Sequence, residues 1–226
     1  MFDLIIFDCD GVLVDSERIS NVVFAEMLGE LGLHFTLPEM FETFVGRSMT
    51  ACVEIIERRL GCPLPADFLP RLTQHTNAAY AAQLKPVNGV EMVLNTLDLP
   101  FCVASSGTVE KMRTTLGTTG LLKYFDGRLF SVTEVAHGKP RPDIYLHAAR
   151  QMNADPARCL VVEDSPVGVE AGVAAGMTVF GYAEIMEPRR LLGAGAMTTF
   201  RNMAQLPQLI AEHGSVSTAG ERSGQR

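Results

Sequence analysis

The amino-acid sequence predicts an α/β protein: a doubly wound parallel sheet carrying a helical cap domain inserted after its first strand. Three observations carry this. The chain opens on a four-residue apolar run, LIIF, bounded by acids, which suits a strand buried on both faces. From about residue 88 onward, short apolar segments alternate with segments of helix length, the pattern of a parallel sheet with helices on both faces. Between these two regions nothing alternates like a strand, and the stretch reads as helix only.

Taken in order, the first strand covers 4–7, and Gly11 breaks it. Ser16 is placed to cap the first helix, in which Ile19, Val22, Val23, Met27, Leu28 and Leu31 recur on one face, with Gly32 ending it. A short helix near 39–44, a helix over 49–60 and a longer one running up to Leu84 follow. Gly61, Pro63 and Pro65 punctuate the last two. Pro86 marks a boundary. Beyond it come a helix at 89–97, a strand at 101–104, a helix at 109–117 and a strand at 128–131. A helix at 142–152, a strand at 159–162, a helix at 166–175 and a strand at 177–181 complete the reading. The core domain is therefore 1–15 with 86–213, in a Rossmann-like arrangement, and the cap is 16–85. The segment 214–226 is Gly/Ser-rich and is expected to be a disordered tail.

With 226 residues, the chain has room for one large domain or a core with an insert. A chain of this size buries roughly 70–75% of its unfolded surface, so it needs no disulfide or structural metal to hold a core. A composition 47% hydrophobic and 20% charged is that of a globular protein. The net charge of −7, without a Lys/Arg cluster, argues against nucleic acid or an anionic membrane as partner. No apolar run reaches the ~18 residues of a membrane-spanning helix, and the N-terminus lacks the basic region of a signal peptide. The five cysteines are odd in number, irregularly spaced and without a CxxC. They read as reduced thiols, which points to a cytoplasmic protein. No exposed apolar stripe or heptad stands out, so a monomer is expected.

Three of the strands end in polar residues: Asp8-Cys9-Asp10-Gly11, Ser105-Ser106-Gly107 and Glu163-Asp164-Ser165. In an open α/β sheet, ligands bind beyond the carboxyl ends of the strands. One acid there would be a helix cap, but four carboxylates at such ends repel one another unless a cation is present. Oxygen donors without His or Cys partners suit a hard cation, with Mg²⁺ the leading candidate. Asp8 and Asp10, two apart, can address the same point while Cys9 turns away as a small buried hydrophobe. A carboxylate held beside a phosphate can act as a nucleophile, and a second acid can move the protons. Gly11 would let backbone amides approach closely. Lys139, fixed by Pro140 and Pro142 at a helix entrance, can neutralise phosphate charge. Ser105, with nearby amides at a helix start, can hydrogen-bond the same phosphate, and Ser106 stands next to it. Ser165 and Pro166 can cap the last helix themselves, which frees Glu163 and Asp164. No two histidines pair at metal-ligand spacing. Only His75, inside the insert, is a candidate substrate contact.

The stretches FDCDGVLVDSE, VASSG, GKPRPDIY and VVEDSPVGVEAG match, in order, the four motifs of the haloacid dehalogenase-like hydrolase superfamily. Over about residues 2–210 the chain resembles its phosphatase and phosphomutase branch, whose helical cap follows the first motif. The resemblance implies a Mg²⁺-dependent phosphotransferase. Asp8 then resembles the nucleophile and a metal ligand. Asp10 resembles the general acid/base, lending its backbone carbonyl to the metal. Ser105 and Lys139 look like the phosphate binders, and Asp164 like the remaining direct metal ligand, with Glu163 in or next to the metal shell. Arg47 and Glu17 look like cap residues that face the substrate.

The whole-chain pattern looks most like the phosphosugar phosphatases of this branch, those acting on 6-phosphogluconate included. The substrate expected is thus a small phosphorylated metabolite, a sugar or sugar-acid phosphate, hydrolysed through an aspartyl-phosphate. The alternatives are a β-phosphoglucomutase-like mutase and a phosphoglycolate phosphatase. Family mutases carry a histidine in the first cap helix where Ser20 stands in this register, which disfavours the mutase. Asp10 and Asp164 disfavour dehalogenation, and a silent binding protein would not need every motif position filled. Closure of the insert over the site would exclude water and leave no room for a macromolecular substrate.

Overall fold

The computed structural model describes residues 1–45, 47 and 49–214. Strand β1 (Leu4–Phe7) is followed by helices α1 (Ser16–Glu30), α2 (Leu37–Phe44), α3 (Met49–Leu60) and α4 (Phe68–Gln83). The alternating region then runs α5 (Val90–Thr96), β2 (Phe101–Ser105), α6 (Val109–Thr118), β3 (Leu129–Ser131), α7 (Asp143–Gln151), β4 (Cys159–Glu163), α8 (Pro166–Ala174) and β5 (Thr178–Tyr182). It closes with α9 (Pro188–Gly193), β6 (Thr198–Phe200) and α10 (Leu206–Gly214). The strands form one six-stranded sheet in the order β3-β2-β1-β4-β5-β6, parallel throughout.

Strand burial follows from the period of two along each strand. Ile5 and Phe7 of β1, Phe101 and Val103 of β2, and Leu160 and Val162 of β4 enter one apolar cluster. The alternate residues Leu4, Ile6, Cys102, Ala104, Cys159 and Val161 enter another on the opposite face. Both faces are therefore covered, and each buried Leu, Ile, Val or Phe contributes about 1.5–3 kcal/mol from leaving water. A third cluster, including Phe24, Met27, Leu28, Met40, Ile56 and Phe68, lies wholly within the helical stretch α1–α4. The two segments that join this stretch to the sheet run side by side. The Asp15 amide donates to the Lys85 carbonyl at 3.0 Å and the Val87 amide to the Leu13 carbonyl at 2.9 Å.

The sequence expectations for the elements hold to within two or three residues at each end, with four differences. Ser16 is the first residue of α1 and does not cap it; the N-cap is Asp15, whose side chain makes no capping bond. Val22, expected on the buried face of α1, is 41% exposed, because α1 packs through Val23, Phe24, Met27 and Leu28. The region after β5 holds α9, β6 and α10, none of which stands out in the sequence. A three-residue strand is too short to show a period, and α9 has only six residues. Gly214, placed in the tail, ends α10, and the rest of that expected tail lies outside the described residues. All five cysteines are free thiols. Among the described residues no helix is long and apolar enough to cross a membrane.

Glycine 172 shows how closely α8 lies on the sheet: a Cβ there would sit 2.7 Å from Val179 Cγ2 and 3.5 Å from Val161. Replacing a helical glycine by alanine ordinarily stabilises by up to about 1 kcal/mol. For Gly172→Ala the overpacking wins, and a loss of about 1–3 kcal/mol is expected. At exposed Gly117 of α6, where the nearest atom would be 4.0 Å away, alanine should give the ordinary gain. Urea unfolding midpoints of the two variants should move in opposite directions.

Candidate active site

The ends of β2, β1 and β4 are adjacent in the sheet, and the chain order reverses about β1. In a doubly wound sheet this switch point is where a crevice opens. One ammonium group ties the three ends together. Lys139 Nζ donates to Asp8 Oδ1 at 2.5 Å, to Glu163 Oε1 at 2.7 Å and to the Ala104 carbonyl at 3.3 Å. The lysine side chain is only 5% exposed, and its ammonium stands 4.8 Å from the centre of the Tyr145 ring. Lys139 enters from the loop before α7, and Tyr145 from its first turns.

Of the two places expected for Glu163, in or next to a metal shell, its contacts favour the second. Its Oε1 accepts from Lys139 and from the Tyr145 hydroxyl at 2.9 Å, and its Oε2 accepts from both the amide and the hydroxyl of Ser165 at 2.9 Å. Four donors occupy a carboxylate that has about four lone-pair positions. Glu163 is 1% exposed and is not free to ligate an ion; it holds Lys139. Gly168 makes room for it, since a Cβ there would lie 1.7 Å from Glu163 Oε1. Ser165 does cap α8, accepting from the Gly168 amide at 3.1 Å with Pro166 first in the helix.

Asp10 is held on both oxygens. Ser16 Oγ donates to Oδ1 at 2.8 Å, and Lys111 Nζ donates to Oδ2 at 2.7 Å. The hydroxyl of Ser16 is therefore engaged with Asp10 rather than with its helix end. Gly11 also works differently from the expectation. Its amide donates to the Val14 carbonyl at 2.9 Å, so it is not offered to a ligand. With φ at +76°, a Cβ at Gly11 would lie 2.0 Å from Asp164 Oδ2. The missing side chain gives Asp164 its place beside the Asp8–Asp10 turn.

Ser105 is buried at the end of β2, and its Oγ accepts from the Gly107 amide at 3.0 Å. Its own proton remains available to a ligand. The loop is fixed from β3, where Ser131 Oγ donates to the Gly107 carbonyl at 2.8 Å. Ser106 is exposed at the rim. Ser105, Ser106, Asp164, Lys139, Arg47 and Glu17 all border one cavity of about 550 Å³. Arg47 is exposed, with its Nε donating to the Thr43 carbonyl at 2.7 Å. Glu17, Val45 and Arg47 also border a second cavity of about 430 Å³ between the helical stretch and Lys111 of α6. Its further walls set the polar Ser20, Asn21, Thr76, Asn77 and Tyr80 among apolar side chains that include Phe24, Phe44, Met49 and Leu72. His75 is exposed on α4 and is not among these walls. The sequence reading missed Ser16, Lys111 and Tyr145. Tyr145 stands in GKPRPDIY, six residues after Lys139, and could have been noticed there; Lys111 carries no local signal.

The site is overcharged with acid. Asp8, Asp10, Glu17, Glu163 and Asp164 gather against the ammonium groups of Lys111 and Lys139 and, at the rim, the guanidinium of Arg47. Burial pushes the Asp8 carboxyl up to about 7, with Lys139 opposing and Glu163 reinforcing the rise. Burial also drives Asp164 well above the usual carboxylate range, followed by the charges of Glu163 and Asp8. For Glu163 burial works the same way, but the charge and hydrogen bond of Lys139 outweigh it and hold the group below its ordinary value. One ammonium cannot satisfy two carboxylates equally, and the one with three further donors wins.

This donor set fits a hard divalent cation. Among the described residues Asp164 is the one carboxylate of the five that makes no hydrogen bond or ion pair, although it faces the charges of Asp8 and Glu163. Among the described residues, no three His, Cys, Asp or Glu groups form a ready-made cage. Mg²⁺ does not ask for one, since it keeps several waters and takes one or two carboxylates together with substrate phosphate. In the metal-free protein, the fold binds the Asp8 proton more tightly than the unfolded chain between the ordinary 3.8 and about 7. Stability from this group therefore falls as pH rises through that window. In EDTA at pH 8, Asp8→Asn should melt above wild type by about 3 °C or more. At pH 5.5, where Asp8 is protonated, the gap should shrink. Calorimetry at the two pH values checks this.

A family model described as haloacid dehalogenase-like hydrolase matches residues 2–176. The 6-phosphogluconate phosphatase of Escherichia coli (strain K12) is 31% identical over 218 residues, 96% of this chain and 98% of its own length. A crystal structure of a conserved haloacid dehalogenase-like protein of unknown function from Agrobacterium tumefaciens str. C58 is 36% identical with a TM-score of 0.91, covering 95% of this chain and 100% of that one. A haloacid dehalogenase family hydrolase from Deinococcus radiodurans R1, crystallised with bound phosphate and sodium, is 32% identical with a TM-score of 0.84, covering 94% of this chain and 96% of that one.

Proposed function

The chain belongs to the haloacid dehalogenase-like hydrolase family, and from that premise we propose that it is a Mg²⁺-dependent phosphatase of a small phosphorylated metabolite, a sugar or sugar-acid phosphate. The observation that carries this reading is the buried Lys139 between Asp8 and Glu163, at the mouth of a cavity that Ser105 and Asp164 also border. An ammonium fixed there can take a phosphate oxygen while Asp8 stands beside it. The Asp8 carboxylate attacks phosphorus, the ester P–O bond breaks, and an aspartyl-phosphate forms. Asp10 gives a proton to the departing alkoxide and then takes one from the water that attacks phosphorus and restores Asp8. Ser105 donates its hydroxyl proton to a phosphate oxygen. Asp8, Asp164 and the Asp10 carbonyl are the groups that would hold Mg²⁺, which supplies positive charge to the phosphate oxygens and keeps Asp8 ionised at neutral pH.

The rest of the substrate occupies the second cavity. Its hydroxyl and amide groups, set among apolar side chains, can hydrogen-bond a polyhydroxylated body, and its mouth shares Glu17 and Arg47 with the phosphate site. The 6-phosphogluconate phosphatase relative supports the same substrate class. Ser20 Oγ donates to the Glu17 carbonyl at 3.1 Å and offers no imidazole to relay protons back to a sugar, which favours transfer to water over a mutase reaction.

Phosphate release from a panel of phosphorylated sugars, sugar acids and phosphoglycolate should be Mg²⁺-dependent and selective. EDTA should abolish it, and Asp10→Asn should lower kcat by about 10²-fold or more. Metal-independent release, or none from any phosphomonoester, would overturn the reading.

A further inference from the structure

We propose that Lys111 is a positioning residue for Asp10; this rests on the proton-transfer role given to Asp10 above. Asp10 lies just past β1, in an isolated β-bridge with Val14 that fixes its backbone and leaves its side chain to other contacts. Its carboxyl plane is set from two sides. Ser16 holds Oδ1 from the root of α1, and Lys111 holds Oδ2 from α6, 101 residues away in the chain. A carboxylate has about four lone-pair positions, so two remain for a leaving oxygen or a water.

The position of Lys111 is unusual on local grounds. It is the third residue of α6, and its amide donates to the capping Thr108 hydroxyl at 3.2 Å. A cation in the first turn opposes the helix dipole. Such a breach of a local rule is expected where a residue serves a site. The loop is shaped to let the side chain pass: a Cβ at Gly107 would lie 3.1 Å from Lys111 Cδ. Glu17 is the other acid nearby, yet its carboxylate is paired with Asn21 at 3.4 Å. Among the described residues Asp10 is the one ion-pair partner of Lys111. The Lys111 side chain is 42% exposed, and half-exposed ion pairs add little to stability. Its removal should therefore disturb catalysis while leaving the fold in place.

The test uses leaving groups. kcat/KM covers the steps through cleavage of the ester bond. An alkoxide needs the Asp10 proton to leave, whereas p-nitrophenolate departs without it. For Lys111→Met with Mg²⁺ present, kcat/KM for the preferred alkyl phosphate should fall by about tenfold or more, while that for p-nitrophenyl phosphate stays within about threefold. The melting temperature should not change, and Lys111→Arg should recover most of the alkyl activity. Equal losses on both esters, or no loss on the alkyl ester, would overturn the proposal. If wild type turns over neither ester, the phosphatase reading itself fails and takes this inference with it. If wild type turns over both but Asp10→Asn shows no leaving-group bias, the assignment of Asp10 fails instead.

Discussion

The buried ammonium of Lys139 is the contact on which the site's geometry depends. It touches the ends of β1, β2 and β4 at once, through Asp8, the Ala104 carbonyl and Glu163. A charge taken out of water must be matched by partners with good geometry, and breaking the buried Lys139–Glu163 pair would cost about 3–5 kcal/mol. Tyr145 and Ser165 complete the matching by occupying the remaining positions of Glu163. Glu163 is thereby fixed as the lysine's anchor, and Asp8 is left as the partner that can exchange. The same arrangement leaves more acid than base at the crevice. Burial lifts the Asp8 carboxyl to about 7, and among the described residues Asp164 makes no hydrogen bond or ion pair.

The helical stretch and the sheet are coupled through the same crevice. The connecting segments pair near Asp15 and Lys85, and Ser16, first residue of α1, bonds directly to Asp10. Tyr80 of α4 donates to the Ser16 carbonyl at 3.4 Å. Asp10 thus sits where the helical stretch meets the sheet, on the wall of the cavity of about 550 Å³. Lys139, by contrast, is anchored wholly within the sheet region.

Legibility in the sequence followed the range of the interactions. The strands β1, β2 and β4 were readable because burial on both faces demands continuous apolar runs, and the motifs at their ends were readable because they are contiguous. Where the outcome depended on contacts between distant segments, local pattern was silent. Glu163 and Asp164 are neighbours of the same chemical type, and the positions of Lys139, Tyr145 and Ser165 decide which one is free. Lys111 and Asp10 meet across 101 residues. Ser16 had a sound local reading as a helix cap, and a tertiary partner took its hydroxyl instead. Gly11 was recognised as a residue that allows close approach, but what approaches is the Asp164 carboxylate. In the region after β5, the three-residue β6 pairs only at the sheet edge with β5 and leaves no periodic trace.

The central claim is that Asp8 accepts the phosphoryl group. The most direct measurement is a single turnover of a substrate carrying a radioactive phosphoryl group, quenched in acid and followed by isolation of the protein. The account predicts label on the wild-type chain, recovered in the peptide that contains Asp8, and none on Asp8→Asn. Turnover by the wild-type enzyme with no label on the protein at any quench time, or label on another residue, would contradict it.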